Sequence, residues 1–201
     1  LNLNQPLGRR PALRAAGAAI CAIVAPSIVA CSGQADRRDA PLVVVTTGHI
    51  HDAVAAITAG TDIELKLLCG PGVDPHGYSA STRDVLAMQR AGAIVYNGFH
   101  LEAQLSDLLD RGSFAAKAWS MASAFPEENR LDWSEDGRVD PSAPFDPHIW
   151  NDLDGWSTCV AALAGHLGER FPGRSAAFVE NGAAYVAQIR DADAWAQEIL
   201  A

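Results

Sequence analysis

The chain has 201 residues, of which 49% are hydrophobic, and its 24 acidic residues outnumber 15 basic ones, for a formal net charge of −9 at pH 7. This balance argues against nucleic acid and anionic membrane surfaces as partners, and it mildly favours cations. A chain of this length and composition is sufficient for one domain with its own apolar core.

The first 30 residues have the layout of a secretory signal. Arg9, Arg10 and Arg14 precede an uncharged apolar run, residues 15–30, that is too short to span a bilayer comfortably. We therefore predict a signal peptide at residues 1–30. Three of the 15 basic residues and none of the 24 acidic ones lie within it, so the remainder carries a net charge of −12.

Cys31 follows Ile28-Val29-Ala30, and a branched aliphatic, a small residue and then cysteine resemble the lipobox of bacterial lipoproteins. This implies cleavage before Cys31 and lipidation of its thiol, with residues 31–40 as a polar tether. The alternative is an ordinary buried cysteine after a signal peptide.

Two further cysteines, Cys69 and Cys159, follow the tether. We expect two separate buried thiols, although a disulfide is permitted outside the cytoplasm. A third interpretation makes Cys69 a soft metal ligand.

Strands and helices alternate along the remainder. Parallel βαβ units follow from this order, so we predict an α/β lobe of about four strands at residues 41–173 and a long connector helix at 174–201. A polar, proline-bearing surface loop is expected at residues 126–147. The predicted strands are 41–48, 63–68, 93–98 and 115–120, and the predicted helices are 52–58, 82–90 after a capping box at Ser81, 101–109, 153–170 and 175–201.

The tripeptide Asp-Pro-His occurs twice, ending at His76 and at His148. Proline fixes its own φ and biases the preceding Asp towards an extended conformation, so each His leaves a stiff turn in one direction. We predict that both histidines bind one metal ion. Asp74 and Asp146 would then hold the turn or the ring nitrogen that does not bind metal. The alternative is two surface turns that share three residues.

His49 and His51 follow the first predicted strand, at the sheet edge where ligands of parallel sheets bind. They are candidates for additional ligands. The favoured interpretation is structural, with His49 in a turn and His51 beside Asp52 capping the first helix. His166 is expected to be a solvated side chain.

Four features carry a resemblance to a known family: GPGVDPHGY at 70–78, IVYNGFHLE at 94–102, FDPHIWND at 145–152 and the long helix. Together they resemble the metal-binding solute-binding lipoproteins of bacterial ABC importers for zinc and manganese. The resemblance implies two α/β lobes with the metal between them, His76 and His148 as ligands, and His100 at a position that binds no metal. It also implies two more ligands, a His or Glu and an Asp, from a second lobe that we expect this chain to lack.

The resemblance further implies a function. It describes a monomeric, extracytoplasmic, lipid-anchored receptor that delivers Zn²⁺ or Mn²⁺ to a membrane permease and its ATPase. A metal-dependent surface adhesin and a secreted zinc hydrolase are the alternatives. The sequence contains neither His-Glu-x-x-His nor Gly-x-Ser-x-Gly, so we do not expect an enzyme.

Overall fold

The computed structural model describes residues 40–134, 141 and 143–200. The predicted signal peptide and Cys31 lie outside the described residues. Four strands form one sheet in the order β2-β1-β3-β4, and every neighbouring pair is parallel, which confirms the predicted α/β class. The strands are β1 (Leu42–Val45), β2 (Glu64–Leu67), β3 (Ala93–Tyr96) and β4 (Ala118–Ser120).

Helices cover both faces of this sheet. Val43 and Val45 of β1 pack into an apolar cluster with helices α1, α3 and α4, whereas Leu42 and Val44 pack on the opposite face with α2. A strand that is buried on both faces requires apolar residues at every position, as β1 has. The helices are α1 (Gly48–Ile57), α2 (Thr82–Arg90), α3 (Leu153–Arg170) and α4 (Ser175–Leu200).

Short turns of other helix types complete the described part of the chain. None of its helices is both long and apolar enough to cross a bilayer. The 3₁₀ turns are Ala115–Lys117, Met121–Ala124, Glu127–Asn129, Ile149–Asn151 and Pro172–Arg174, and a π-helical turn spans Asp107–Arg111.

Local capping explains where α2 and α3 begin. The Ser81 hydroxyl accepts the Asp84 N–H at 3.3 Å, while the Asp84 carboxylate accepts the Ser81 N–H at 3.0 Å, so the predicted capping box is confirmed. At α3, the Asp152 carboxylate accepts the Gly155 N–H at 3.1 Å. Helix α3 has the predicted bounds.

Helix α4 packs along α1 and α3. Its contact with α3 is close, because a Cβ placed on Gly182 would lie 2.6 Å from the Ala164 Cβ. The buried residues of α4 end at Ile189, whereas the apolar residues Ala192 and Ile199 further along it are exposed. The division into a lobe and a connector stays a prediction.

Two predicted helices differ from the structure. Helix α1 begins at Gly48 rather than at residue 52, because the Thr47 carbonyl already accepts the His51 N–H at 2.9 Å. The predicted helix at 101–109 is wrong, since only the π-helical turn forms there. Backbone φ is positive at Gly98, Phe99 and His100, which turns the chain before a regular helix can start.

The fourth strand is shorter than predicted, because residues 115–117 form a 3₁₀ turn before β4. In the predicted surface loop, the described residues Asp132 and Phe145 form an isolated antiparallel bridge. This bridge ties the beginning of the loop to the turn that carries His148.

Candidate metal centre

The first Asp-Pro-His turn leaves the carboxyl end of β2. The N–H groups of Leu68 and Cys69 donate to the carbonyls of Val45, the last residue of β1, and of Thr46 at 2.9 and 2.8 Å, which fixes the start of this loop to the end of the central strand. Further along, the Asp74 carboxylate accepts the backbone N–H of His76 at 2.9 Å. Asp74 therefore holds the turn through the backbone, as one of the two predicted roles requires.

The second turn has the same backbone contact and an additional one. Asp146 Oδ1 accepts the His148 N–H at 2.9 Å and lies 2.6 Å from His148 Nδ1. A carboxylate only accepts, so Nδ1 must carry the proton. In the neutral ring, Nε2 is then the nitrogen with a free lone pair, which is the form that binds metal.

The two turns bring their histidines together. The ring centroids of His76 and His148 lie 5.5 Å apart, with an interplanar angle of 56°. Two imidazoles that bind one tetrahedral zinc ion at about 2.0 Å have ring centres roughly 5 Å apart. The separation therefore fits a shared ion, and the two remaining positions of a tetrahedral shell would be open to other ligands.

Aromatic side chains surround the second histidine. Its ring is tilted against Trp133 at 5.7 Å and meets Trp150 edge to face at 5.4 Å. The His148 side chain retains 31% of its exposure, and His76 is more exposed. The site is thus open to solvent. The His148 ring packs against Trp133 and Trp150, and the His76 ring is exposed.

The additional candidates do not complete a site. His49 stacks on Trp150 at 4.4 Å, and burial lowers its pKa although Asp52 opposes the shift. His51 lies half-buried two residues further along α1. Within residues 40–134, 141 and 143–200, no three His, Cys, Asp or Glu side chains are gathered to hold an ion.

The capping interpretation of His51 and Asp52 is also wrong. The residue that precedes α1 is Thr47, and its side chain makes no capping hydrogen bond. Asp52 instead accepts the hydroxyl of Tyr185, which links α1 to α4.

The cysteines are separate buried thiols, as favoured by the sequence. Burial raises the pKa of Cys69 to about 11, with Glu102 adding to the shift, and raises that of Cys159 to about 12. Metal binding requires the thiolate. Cys69 is therefore a poor ligand at neutral pH.

The two remaining histidines have structural surroundings. His100 adopts a φ of 63° in the turn after β3. His166 is not the solvated side chain that we expected, because it stacks on Trp119 at 5.2 Å and burial lowers its pKa.

The structure contains a buried polar group that the sequence does not indicate. Glu102 is 1% exposed and accepts the Thr46 hydroxyl at 2.6 Å and the Asn97 N–H at 2.8 Å, and burial raises its pKa. The Asn97 side chain in turn donates to the Pro147 carbonyl at 2.7 Å. The segment at 94–102 was recognised as a motif, but residue types alone do not show which carbonyl Asn97 binds.

Comparison with known proteins gives matches over the described domain. Residues 43–201 match the family model "ZnuA: Zinc-uptake complex component A periplasmic". The zinc-binding protein TroA of Treponema pallidum is 38% identical over 155 residues, which cover 77% of this chain and 48% of TroA. The manganese-binding lipoprotein MntA of Bacillus subtilis is 31% identical over 159 residues, which cover 79% of this chain and 50% of MntA.

Structural similarity agrees with these matches. The solved structure of the periplasmic zinc-binding protein TroA from Treponema pallidum superposes with a TM-score of 0.67 at 39% identity, covering 77% of this chain and 53% of that structure. The chain thus spans about half the length of the relatives it matches. Because the family model covers most of the sequence, the chain belongs to the family described as the periplasmic component A of zinc-uptake complexes.

Proposed function

We propose that the protein is an extracytoplasmic receptor that captures a divalent transition metal, zinc or manganese, and delivers it to an ABC-type permease with its ATPase. The observation that carries the proposal is the His76–His148 pair, whose 5.5 Å ring separation fits two ligands of one ion. Each histidine leaves a turn of the same sequence, Asp-Pro-His, at the same side of the sheet. The paired rings support a shared site over the alternative of two unrelated surface turns.

The chemistry of the pair suits the proposed substrates. Imidazole binds zinc well, and a coordination shell completed by carboxylates would favour manganese. The two histidines are therefore compatible with both metals. The names of TroA and MntA describe binding of zinc and of manganese, respectively, rather than catalysis. We propose no enzymatic activity for this chain.

The place of action follows from the N-terminus. A signal at residues 1–30 exports the protein, and lipidation of Cys31 anchors it to the membrane face outside the cytoplasm. MntA carries the word lipoprotein in its name. Tethering of a monomeric receptor near its permease raises the local concentration of loaded receptor.

Calorimetric titration of the full-length protein with Zn²⁺ and with Mn²⁺ tests the proposal. His76→Ala and His148→Ala should each weaken binding at least tenfold, because each removes one ligand. His166→Ala is the matched control, since it removes a histidine that packs on Trp119, and it should leave affinity unchanged. Equal losses in all three variants would show that the histidines act non-specifically, and absence of binding by the unaltered protein would refute the proposal.

A further inference from the structure

The peptide group between Pro147 and His148 is held at both of its polar atoms. Its N–H donates to Asp146 Oδ1 at 2.9 Å, and its carbonyl accepts the side-chain amide of Asn97 at 2.7 Å and the backbone N–H of Ile149 at 2.9 Å. A peptide group is planar, so bonds on its opposite edges fix its orientation. The direction in which the His148 side chain leaves the backbone depends on that orientation.

The geometry identifies which atom of Asn97 faces the turn. Asn97 Nδ2 lies 2.7 Å from the Pro147 carbonyl and 3.1 Å from the Gly98 carbonyl. Both partners are acceptors only, so the amide nitrogen and not the oxygen must face them. Asn97 therefore acts here as a donor, a role that an aspartate or an apolar side chain cannot fill.

Asn97 is itself fixed to the sheet. It is 0% exposed at the end of β3, and its carbonyl accepts the Ala122 N–H at 2.9 Å and the Ser120 hydroxyl at 3.2 Å. Its N–H and the N–H of Gly98 donate to the two carboxylate oxygens of Glu102 at 2.8 and 3.2 Å. The Asn97 side chain that binds the Pro147 carbonyl thus belongs to a buried residue whose own backbone N–H and carbonyl are both hydrogen-bonded.

Gly98 makes this close arrangement possible. Its φ is 86°, and a Cβ there would collide with the Ser120 hydroxyl and lie 2.9 Å from the Ala122 side chain. Only glycine adopts this conformation in so small a space.

We propose that Asn97 is a positioning residue for metal capture, which sets the His148 ring relative to His76 by binding the Pro147 carbonyl from the sheet. Groups that orient a ligand in this way commonly change metal affinity 10- to 100-fold when removed. The part of the proposal that concerns affinity rests on the proposed function. The part that concerns the orientation of His148 does not require metal.

Zinc titration of the full-length protein tests the first part. Asn97→Ala should weaken binding by about 10- to 100-fold. Ser120→Ala is the matched control, because it removes one hydrogen bond from the same Asn97 without touching the His148 turn, and it should change affinity less than about twofold.

A double-mutant cycle separates positioning from a general structural effect. In a His148→Ala background, Asn97→Ala should weaken the residual binding no further, whereas in a His76→Ala background it should retain its full effect. The same loss in both backgrounds, or no loss in the parent protein, would overturn the proposal. If Asn97→Ala does not fold, Asn97→Leu, which has similar volume but no donor, carries the same expectations.

Metal-free NMR tests the second part. With a chelator present, Asn97→Ala should move the ring-nitrogen signals of His148 and leave those of His166 in place. Unchanged His148 signals would overturn the positioning role even if zinc binds. Failure of the unaltered protein to bind either zinc or manganese would instead reject the proposed function, and the His148 signals would still decide whether Asn97 orients the ring.

Discussion

Substitution of the two Asp-Pro-His aspartates by alanine should weaken metal binding unequally. Both carboxylates accept the backbone N–H of the histidine two residues on, but only Asp146 also binds its ring, at 2.6 Å. The difference between Asp146→Ala and Asp74→Ala therefore measures the ring contact. A charge-assisted hydrogen bond contributes about 1.5–3 kcal/mol, and partial exposure of this pair reduces it to about 1.5 kcal/mol.

This free energy corresponds to roughly tenfold in affinity. Zinc calorimetry on both variants of the full-length protein, with melting temperatures as a check on folding, gives the comparison directly. The zinc affinity of Asp146→Asn should lie between those of the parent protein and Asp146→Ala, since an amide oxygen still accepts the hydrogen bond from His148 Nδ1 but carries no charge. Equal losses from Asp74→Ala and Asp146→Ala would refute the idea that the ring contact supports metal binding.

Three further outcomes are expected. Burial lowers the pKa of His166, so the folded chain binds fewer protons than the unfolded one just below pH 6.5. Stability in urea should therefore fall as pH drops through that range, and less so in His166→Phe. Gly182→Val should lower the free energy of unfolding by about 1–3 kcal/mol, because its side chain meets Ala164 across the α3–α4 contact. Cys31→Ala should release the protein from membranes in a phase-partition assay without changing its zinc affinity.

The sheet and three of the helices follow from sequence because their signals are local. The apolar run of β1 needs no knowledge of its neighbours to be recognised as a strand buried on both faces, and the Ser81–Asp84 capping box is complete within four residues. The bounds of α3 are set by the Asp152 cap and by Pro172 beyond its end. Each of these features depends on residues adjacent in the chain.

The segment after β3 was mispredicted because its conformation depends on a distant contact. Leu101, Leu105 and Leu109 are buried, as the apolar spacing indicated, but Leu108 is 39% exposed. The buried carboxylate of Glu102 accepts hydrogen bonds from N–H groups on its N-terminal side and from the hydroxyl of Thr46, just after β1, which favours a sharp turn over a regular helix. The spacing of apolar residues does not reveal a side chain that competes with the helix for backbone N–H groups.

The candidate site was only partly predictable, because some of its features are local in sequence and others depend on contacts between distant segments. Repetition of Asp-Pro-His makes both histidines candidates, and the contact of each aspartate with the backbone was among the two roles predicted for it. The contact of the His148 ring with Trp133 and the bond from Asn97 to the Pro147 carbonyl were not predictable, because each joins residues that are not neighbours in the chain, and the second spans 50 positions. Stacking of His49 on Trp150 likewise requires the folded sheet edge.

The arrangement of histidines leads to a last prediction about residues 31–201 by themselves. His76 and His148 supply two ligands, and no third His, Cys, Asp or Glu joins them in the described part of the chain. A tetrahedral ion held by two imidazoles keeps two waters. The relatives TroA and MntA are about twice as long as the segments that match this chain, and we propose that the full-length protein likewise carries a second lobe with further ligands.

We therefore expect residues 31–201 to bind Zn²⁺ at least about 100-fold more weakly than the full-length protein, since each 1.4 kcal/mol is tenfold and two ligands contribute several kcal/mol. His49→Ala and His51→Ala should leave the weak binding unchanged, because His49 is engaged with Trp150 and neither residue joins a three-member group. Calorimetry on the full-length protein, on residues 31–201 and on the two variants of residues 31–201 provides the measurement. Tight binding by residues 31–201 that is lost in these variants would mean that the lobe completes its own site, and the divided site would have to be abandoned.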